Sequence, residues 1–191
     1  MDDSKESKKM KKKDAIICDV DGTVALMNGK RTPFEYHKAD RDDPNQPVID
    51  TVLSLKGGIE NGIELIMLSA RENVVLNTKS TDNKHNRTYN NPNYVDLYDL
   101  TSSWLNKYVN EEILPEEGCE IIINEGCKWN TLLMRPAGDY RKDCYVKYDI
   151  YNEYIKHHYN VLMVFDDRNQ VVDMWRNGLN LTCFQVADGN F

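Results

Sequence analysis

Residues 16–23 read Ile-Ile-Cys-Asp-Val-Asp-Gly-Thr, and this octet decides the fold. The apolar run that leads into it begins at Ala15 and ends at Cys18, and a run of that length is typical of a buried parallel strand. In open α/β sheets, ligands bind beyond the carboxyl ends of such strands. Asp19 and Asp21 are therefore predicted to emerge at a binding crevice.

The two carboxylates are separated by a single residue. Side chains alternate along a strand, so Asp19 and Asp21 can face one site for as long as the extended geometry lasts. Two such acids either repel, which raises the pKa of one of them, or bind a divalent cation that neutralises both. An isolated Asp-Gly pair would indicate only a turn. The complete octet favours a functional site over a turn alone.

Length and composition indicate one globular domain. The chain has 191 residues, of which 40% are hydrophobic and 29% charged, and a single domain commonly holds about 100 to 200 residues. The sequence has no apolar stretch near the ~18 residues that a membrane span needs, so no membrane partner is expected. Residues 1–13 are charged and lack the apolar segment of a secretory signal. We predict a disordered basic tail at 1–13 and one domain at 14–191.

Cysteine content and net charge bear on the cellular location and on the mode of nucleic-acid binding. An odd number of cysteines without a Cys-x-x-Cys pair favours a reducing, cytoplasmic location without secretion. The net charge of −7 argues against a protein that coats nucleic acid through overall positive charge, although it leaves room for a local basic site. The cysteines are Cys18, Cys119, Cys127, Cys144 and Cys183.

Apolar runs alternate with helix-like or loop-like stretches, as in a parallel sheet covered by helices. Five strands are predicted, at Ala15–Cys18, Ile63–Leu68, Thr131–Met134, Val161–Phe165 and Leu181–Val186. Helices are predicted at Pro47–Lys56, Tyr94–Val109 and Asp149–His158. The polar stretch 72–93 is interpreted as a long loop or small lid, and 121–126 as an additional strand and turn.

Three further groups of polar residues follow the predicted strands. Ser69 and Arg71, at the end of the second strand, suit phosphate oxygens, although alone they would equally indicate a solvated turn. Asp143 and Lys147 are four residues apart, a spacing that by itself predicts only a helical surface pair. The fourth strand ends at the acidic pair 166–167, and carboxylates there complete a site for Mg²⁺.

This ensemble resembles the haloacid dehalogenase (HAD) superfamily, whose pattern is Asp-x-Asp, then Ser or Thr, then Lys, then an acidic pair on successive strand ends. More closely, the chain is similar to the 3′-phosphatase domain of polynucleotide kinase/phosphatase enzymes, from about residue 14 to 191. The resemblance implies a HAD-like, Rossmannoid α/β/α fold of three layers around a central parallel five-stranded sheet, with small insertions. It is carried by the segments 19–23, 68–71, 141–147, 165–175 and 183–191.

The family assigns roles to matching residues. The resemblance implies Asp19 as the nucleophile that forms an aspartyl-phosphate, Asp21 as general acid and base, and Lys147 as the group that steadies the charge on Asp19 and on the transferring group. It implies Mg²⁺ between Asp19, the main-chain carbonyl of Asp21, and the pair Asp166 and Asp167. The substrate-binding residues implied are Thr23, Lys30, Arg31, Ser69, Ala70, Arg71 and Asp143.

Two features depart from the family pattern. Where the family has an arginine after the nucleophile loop, this chain has Lys30 followed by Arg31, and the two side chains are not equivalent because only arginine offers a planar fork of donors. Either Arg31 has shifted by one position or Lys30 has taken over. The segments 77–93 and 115–129 are longer than in the family and are predicted to reshape the substrate entrance.

The sequence therefore predicts a Mg²⁺-dependent polynucleotide 3′-phosphatase acting on DNA or RNA ends. The ATP-binding Gly-x-x-x-x-Gly-Lys-Ser/Thr loop is absent from the sequence, which favours a phosphatase without a kinase module, acting alone or beside a separate kinase or ligase. The main alternative is a HAD phosphatase of nucleotides or other small phosphomonoesters. A receiver-like signalling module lacks an acid at the position of Asp21, and a catalytically dead binding module would not retain every catalytic position. The sequence leaves open DNA against RNA, 3′-phosphate against 2′,3′-cyclic phosphate, and the oligomeric state.

Aromatic residues in loop-like segments are candidates for stacking on single-stranded bases, although most aromatic side chains belong to cores. They are Phe34, Tyr36, Tyr89, Tyr94 and Trp129.

Overall fold

The computed structural model describes residues 12–58, 62–77, 94–109 and 131–189. In chain order the strands are β1 (Lys13–Asp19), β2 (Ala25–Leu26), β3 (Asp43–Pro44), β4 (Glu64–Glu72), β5 (Val75–Asn77), β6 (Tyr94–Asp96), β7 (Thr131–Arg135), β8 (Tyr159–Arg168) and β9 (Cys183–Gly189). The helices are α1 (Gln46–Gly57), α2 (Leu97–Tyr108), α3 (Asp143–Ile150) and α4 (Asn169–Asp173). A 3₁₀ turn spans Tyr36–Arg41, and π-helical turns span Tyr151–Ile155 and Met174–Gly178.

The central sheet has five parallel strands in the order β7-β4-β1-β8-β9. The chain moves from β1 outward on one side through β4 and β7, and then returns to the other side through β8 and β9. The strand order thus reverses at β1, and a crevice forms at such a switch point beyond the carboxyl ends of the strands. Asp19, the last residue of β1, lies at this crevice.

Alternation along β1 divides the core into two faces. Ile16 and Cys18 belong to one apolar cluster together with α1 and α2, whereas Ala15 and Ile17 belong to a second cluster together with α3, α4 and Trp175. Each face of the sheet is therefore covered by helices. This confirms the predicted three-layer α/β/α architecture around a five-stranded parallel sheet.

Helix boundaries differ from the predicted ones where the apolar signal is weak. The first helix is as predicted to within a residue at each end. The second begins at Leu97, because residues 94–96 pair with β5 and the Asp96 carboxylate caps the helix by accepting from the Tyr98 amide at 2.9 Å. The third begins at Asp143 rather than Asp149, since its first turns bury only Val146 and Lys147 and offer little apolar periodicity.

Some predictions fall wholly or partly outside the described residues. The predicted strand and turn at 121–126 lie outside them, as do residues 78–93 of the predicted polar loop and residues 1–11 of the predicted tail. Lys13, the last residue of that tail, begins β1 and pairs with Tyr159. Within the described ranges, no helix has the length and apolar character needed to cross a bilayer.

Ile17 tests the packing of the central strand. Its side chain is buried between β1 and the helices of the second face, so Ile17→Ala should lower the free energy of unfolding by about 2–5 kcal/mol. Urea denaturation followed by circular dichroism measures the change. The control Tyr154→Ala, at a side chain that is 49% exposed, should stay within about 0.5 kcal/mol of wild type. Equal effects of the two substitutions would contradict this packing.

Candidate active site

Asp19 lies buried at the end of β1 and is held on both carboxylate oxygens. Lys147 Nζ donates to Asp19 Oδ1 at 2.6 Å, and Thr23 Oγ1 donates to Asp19 Oδ2 at 3.1 Å. Thr23 is placed for this bond by the turn after β1, in which the Val24 and Ala25 amides return to the Val20 carbonyl at 3.1 and 2.9 Å. The orientation of Asp19 is thus fixed by both the sheet and the following turn.

Lys147 reaches from α3 into the centre of the site. Its ammonium also donates to Asp166 Oδ2 at 2.8 Å, so it joins the ends of β1 and β8. Burial alone would lower the pKa of Lys147, but the Asp166 and Asp19 carboxylates outweigh that cost and raise the pKa well above its usual value. Lys147 is therefore a charged ammonium next to Asp19.

Three buried carboxylates meet in front of this ammonium. Oxygen atoms of Asp19, Asp166 and Asp167 all lie within 4.8 Å of one another. Burial and then the neighbouring Asp166 raise the pKa of Asp167 to about 6, and burial raises the pKa of Asp19 even though Lys147 opposes the rise. Three acids facing one ammonium leave negative charge in excess, and oxygen ligands of this kind suit Mg²⁺. The residues present therefore fit a divalent cation.

Gly22 makes room for this cluster. Its φ of +84° is in the left-handed region that favours glycine, and a β-carbon added there would lie 2.6 Å from Asp167 Cγ and still closer to Asp167 Oδ2. Any larger residue would have to displace the Asp167 carboxylate. The glycine of the octet is thus required by a contact across the sheet as well as by the turn.

Asp21 lines the same cavity as Asp19 but has different partners. Arg71 binds it with a two-pronged contact, Nε to Oδ2 at 2.7 Å and Nη2 to Oδ1 at 2.8 Å, and Arg31 Nη2 adds a contact to Oδ1 at 2.6 Å. Burial would raise the pKa of Asp21, but the guanidiniums of Arg71 and Arg31 outweigh it and hold the pKa below its usual value. Asp21 is consequently ionised in the free protein.

Asp42 is a site residue that the sequence analysis missed. Its buried carboxylate accepts from Arg31 Nε at 2.8 Å and Nη2 at 2.6 Å, and from Arg71 Nη2 at 3.3 Å. It therefore orients both arginines that hold Asp21. No local pattern distinguishes it from Asp40 and Asp43 on either side, because its importance comes from residues distant in the sequence.

The last residues of β4 support this arrangement. Ser69 is buried, and its hydroxyl accepts from the Arg71 amide at 3.1 Å. The Arg71 guanidinium also donates to Thr101 Oγ1 at 3.0 Å, so all three of its nitrogens have partners in the described structure. In this structure Arg71 holds Asp21 rather than presenting an open fork to a ligand.

Arg135 is a second residue that the sequence analysis missed. Its guanidinium donates to the main-chain carbonyls of Ala70 at 2.7 Å, Asp139 at 2.8 Å and Arg141 at 2.7 Å, and pairs with the Asp143 carboxylate. Asp143 in turn pairs with Arg168. These contacts anchor the start of α3, the helix that carries Lys147.

The structure brings most of the predicted site residues to one cavity of about 870 Å³. Three more lie next to that group: Thr23 contacts Asp19, Arg71 contacts Asp21, and Ser69 accepts from the Arg71 amide. Lys30 alone lies apart, with an exposed side chain that pairs with Asp43, so Arg31 rather than Lys30 occupies the site. The predicted residues that line the cavity are Asp19, Asp21, Arg31, Ala70, Asp143, Lys147, Asp166 and Asp167.

Comparisons with known proteins agree with this geometry. A family model described as "Polynucleotide kinase PNKP phosphatase domain" matches residues 13–191. A curated protein of Autographa californica nuclear polyhedrosis virus, "Putative bifunctional polynucleotide kinase/RNA ligase", is 28% identical over 173 residues, which make up 91% of this chain and 19% of the relative.

Two solved structures are also similar. One, described as "Structure of the Pnkp1/Rnl/Hen1 RNA repair complex", has a TM-score of 0.68 and 35% identity, covering 94% of this chain and 44% of that chain. The other, "Structure of Pnkp1/Rnl/Hen1 complex", has a TM-score of 0.67 and 33% identity, covering 98% and 52%. The chain thus spans about half, or less, of each relative's length.

Gly22→Ala tests the acidic cluster, with Gly29→Ala as a matched control. Both glycines have a positive φ, but a β-carbon at Gly29 meets no atom within 4 Å. A ligand that binds the folded state raises its stability, so Mg²⁺ should raise the melting temperature of wild type and of Gly29→Ala. Gly22→Ala should lose this Mg²⁺-induced shift because Asp167 is displaced. An undiminished shift in Gly22→Ala would contradict the proposed cation site.

Proposed function

The chain belongs to the family of the polynucleotide kinase PNKP phosphatase domain, and from this we propose that it is a Mg²⁺-dependent polynucleotide 3′-phosphatase. The phosphatase class and the HAD-type fold follow from the family. The single observation that best supports the finer proposal is the buried pairing of Asp19 with Lys147 in front of Asp166 and Asp167. That arrangement suits a carboxylate nucleophile that attacks phosphorus.

In the proposed first step, Asp19 attacks the terminal phosphorus and the bond from phosphorus to the 3′ oxygen breaks. An aspartyl-phosphate forms on Asp19, and Asp21 gives a proton to the leaving 3′ oxygen. Lys147 offsets the negative charge of Asp19 and of the transferring group. Arg31 lines the cavity, so a bound phosphate competes with Asp21 for the Arg31 guanidinium. Because the contact with Arg31 helps to keep Asp21 ionised, that competition favours the protonated Asp21 that this step requires.

In the proposed second step, water attacks the phosphorus of the aspartyl-phosphate. Asp21, now ionised and again held by Arg31 and Arg71, takes the proton from that water. The bond between phosphorus and the Asp19 oxygen breaks, inorganic phosphate leaves, and the Asp19 carboxylate is restored. Thr23 keeps Asp19 oriented through both steps by its hydrogen bond at 3.1 Å.

Mg²⁺ is the proposed cofactor. Asp19, Asp166 and Asp167 would hold it, and the main-chain carbonyl of Asp21 is proposed as a further ligand. When bound, it supplies charge neutralisation and alignment for the phosphate oxygens. The excess of carboxylates over ammonium in the buried cluster supports this assignment.

An RNA end is the favoured substrate within the proposal. The printed descriptions of the relatives name an RNA repair complex and an RNA ligase. We therefore propose that the protein heals 3′ ends of RNA beside a separate kinase or ligase. A reducing, cytoplasmic location is part of the same proposal.

Phosphate release from three substrates tests the proposed function. A 3′-phosphorylated oligonucleotide should be hydrolysed in preference to a 5′-phosphorylated oligonucleotide and a 3′-mononucleotide, and only with Mg²⁺. Asp19→Asn should lower kcat by at least about 10³-fold, because the nucleophile is lost. Preference for the mononucleotide would favour the alternative function, a phosphatase of small phosphomonoesters, and retained activity in Asp19→Asn would refute the proposed nucleophile.

Arg31 and Lys30 form a second matched pair of variants. Lysine cannot reproduce the forked contact to Asp42 together with the contact to Asp21, so Arg31→Lys should lower kcat/KM for the 3′-phosphorylated oligonucleotide by about 10- to 100-fold. Lys30→Ala removes only an exposed ion pair and should change it by less than about threefold. Steady-state kinetics measure both variants. A larger loss in Lys30→Ala than in Arg31→Lys would reverse the assignment.

A further inference from the structure

Two aromatic rings stand exposed at the mouth of the active-site cavity. Phe34 is 86% exposed and Tyr140 is 76% exposed, and they are the most exposed large hydrophobic side chains among the described residues. Both line the cavity that contains Asp19. An exposed apolar ring gains little from water, and two such rings that line one cavity are suited to contact a bound ligand.

The turn that carries Phe34 is held by its own hydrogen bonds. The Thr32 amide donates to Glu35 Oε2 at 2.9 Å, and the Glu35 amide donates to the Thr32 carbonyl at 3.2 Å. Pro33 occupies the first central position, where its restricted φ favours the turn. The backbone under Phe34 is therefore fixed while the ring stays in solvent.

The turn that carries Tyr140 is held by Arg135. One nitrogen of the guanidinium, Nη1, donates to the carbonyls on either side of Tyr140, those of Asp139 at 2.8 Å and Arg141 at 2.7 Å. The Arg141 amide also donates to Asp139 Oδ1 at 3.1 Å. Tyr140, like Phe34, is displayed on ordered backbone, and a pre-organised ring loses little conformational entropy when a ligand binds.

Tyr36 shows the contrasting use of an aromatic ring in the same cavity. Its ring is partly buried, and the Arg31 guanidinium lies 5.9 Å from its centroid. Tyr36 thus has a role in packing the site, whereas the faces of Phe34 and Tyr140 are exposed to incoming ligands.

The cavity fits a nucleotide chain better than a phosphate alone. Its volume of about 870 Å³ is within the range that encloses drug-sized ligands. Its lining includes Lys142 together with Arg141 and Arg168, which pair with Asp139 and Asp143, and the phosphates of a nucleotide chain can compete for these cationic side chains. Every base presents a π-face to an aromatic ring, and unpaired bases are free to stack on protein.

Building on the proposed function, we propose that Phe34 and Tyr140 form a stacking subsite for unpaired bases next to the 3′-terminal phosphate. The bases of a single-stranded end would lie on these rings while the phosphate occupies the site of Asp19. The subsite would favour single-stranded polynucleotide ends over small phosphomonoesters.

The test compares two substrates and four forms of the full chain. One substrate is a single-stranded 3′-phosphorylated oligonucleotide, and the other is the same strand with abasic sugars at its last two positions. The proteins are wild type, Phe34→Ala, Tyr140→Ala and the control Tyr154→Ala, which alters an exposed tyrosine outside the cavity lining. Thermal melting checks that each variant folds, and kcat/KM is measured for each combination of protein and substrate.

If a ring stacks on a base, each ring substitution should lower kcat/KM for the intact strand by about 5- to 150-fold, chiefly through KM. Loss of the bases should lower kcat/KM of wild type by a similar factor. A ring variant acting on the abasic strand should then lose less than the product of these two factors, because each change removes the same contact. Tyr154→Ala should match wild type on both substrates. Losses that multiply, or ring variants that equal wild type, would overturn the subsite alone. No release of phosphate from the intact strand by wild type would overturn the proposed function and the subsite with it.

Discussion

The structure depends on the burial of one ammonium among three carboxylates. Lys147, on α3, ties Asp19 of β1 to Asp166 of β8. Charges out of water are costly unless paired and hydrogen-bonded, and here Thr23 and the Trp175 indole, which donates to Asp166 Oδ2 at 3.2 Å, supply bonds in addition to the ion pairs. The packing of α3 and of the π-helical turn after α4 on the sheet therefore positions the acidic cluster as well as completing the core.

The pKa values of two acids that stand two residues apart are shifted in opposite directions by their surroundings. Asp19 belongs to a cluster with excess negative charge, and its pKa is raised. Asp21 is held by two arginines, and its pKa is lowered. Carboxylates whose environments push their pKa values apart are suited to different roles. The backbone of the octet separates these environments while leaving both acids on one cavity.

Much of this arrangement could be predicted from the sequence because strand ends carry it. The five apolar runs located the sheet, and the polar residues that follow them converge at the crevice. Asp42 and Arg135 could not be found in the same way, because their partners come from distant elements and their own neighbours carry no pattern. The start of α3 was predicted six residues late, since Lys147 occupies a buried position where an apolar residue would have signalled the helix.

Asp19 is proposed to carry the phosphoryl group during turnover. The most direct measurement is mass spectrometry of the protein quenched in acid while it turns over a 3′-phosphorylated oligonucleotide with Mg²⁺, using Asp21→Asn to slow hydrolysis of the intermediate. A phosphoryl adduct is expected on the peptide that contains Asp19, and it should be absent when Asp19 is also changed to Asn. Phosphate release without any such adduct, or an adduct on another residue, would contradict this proposal.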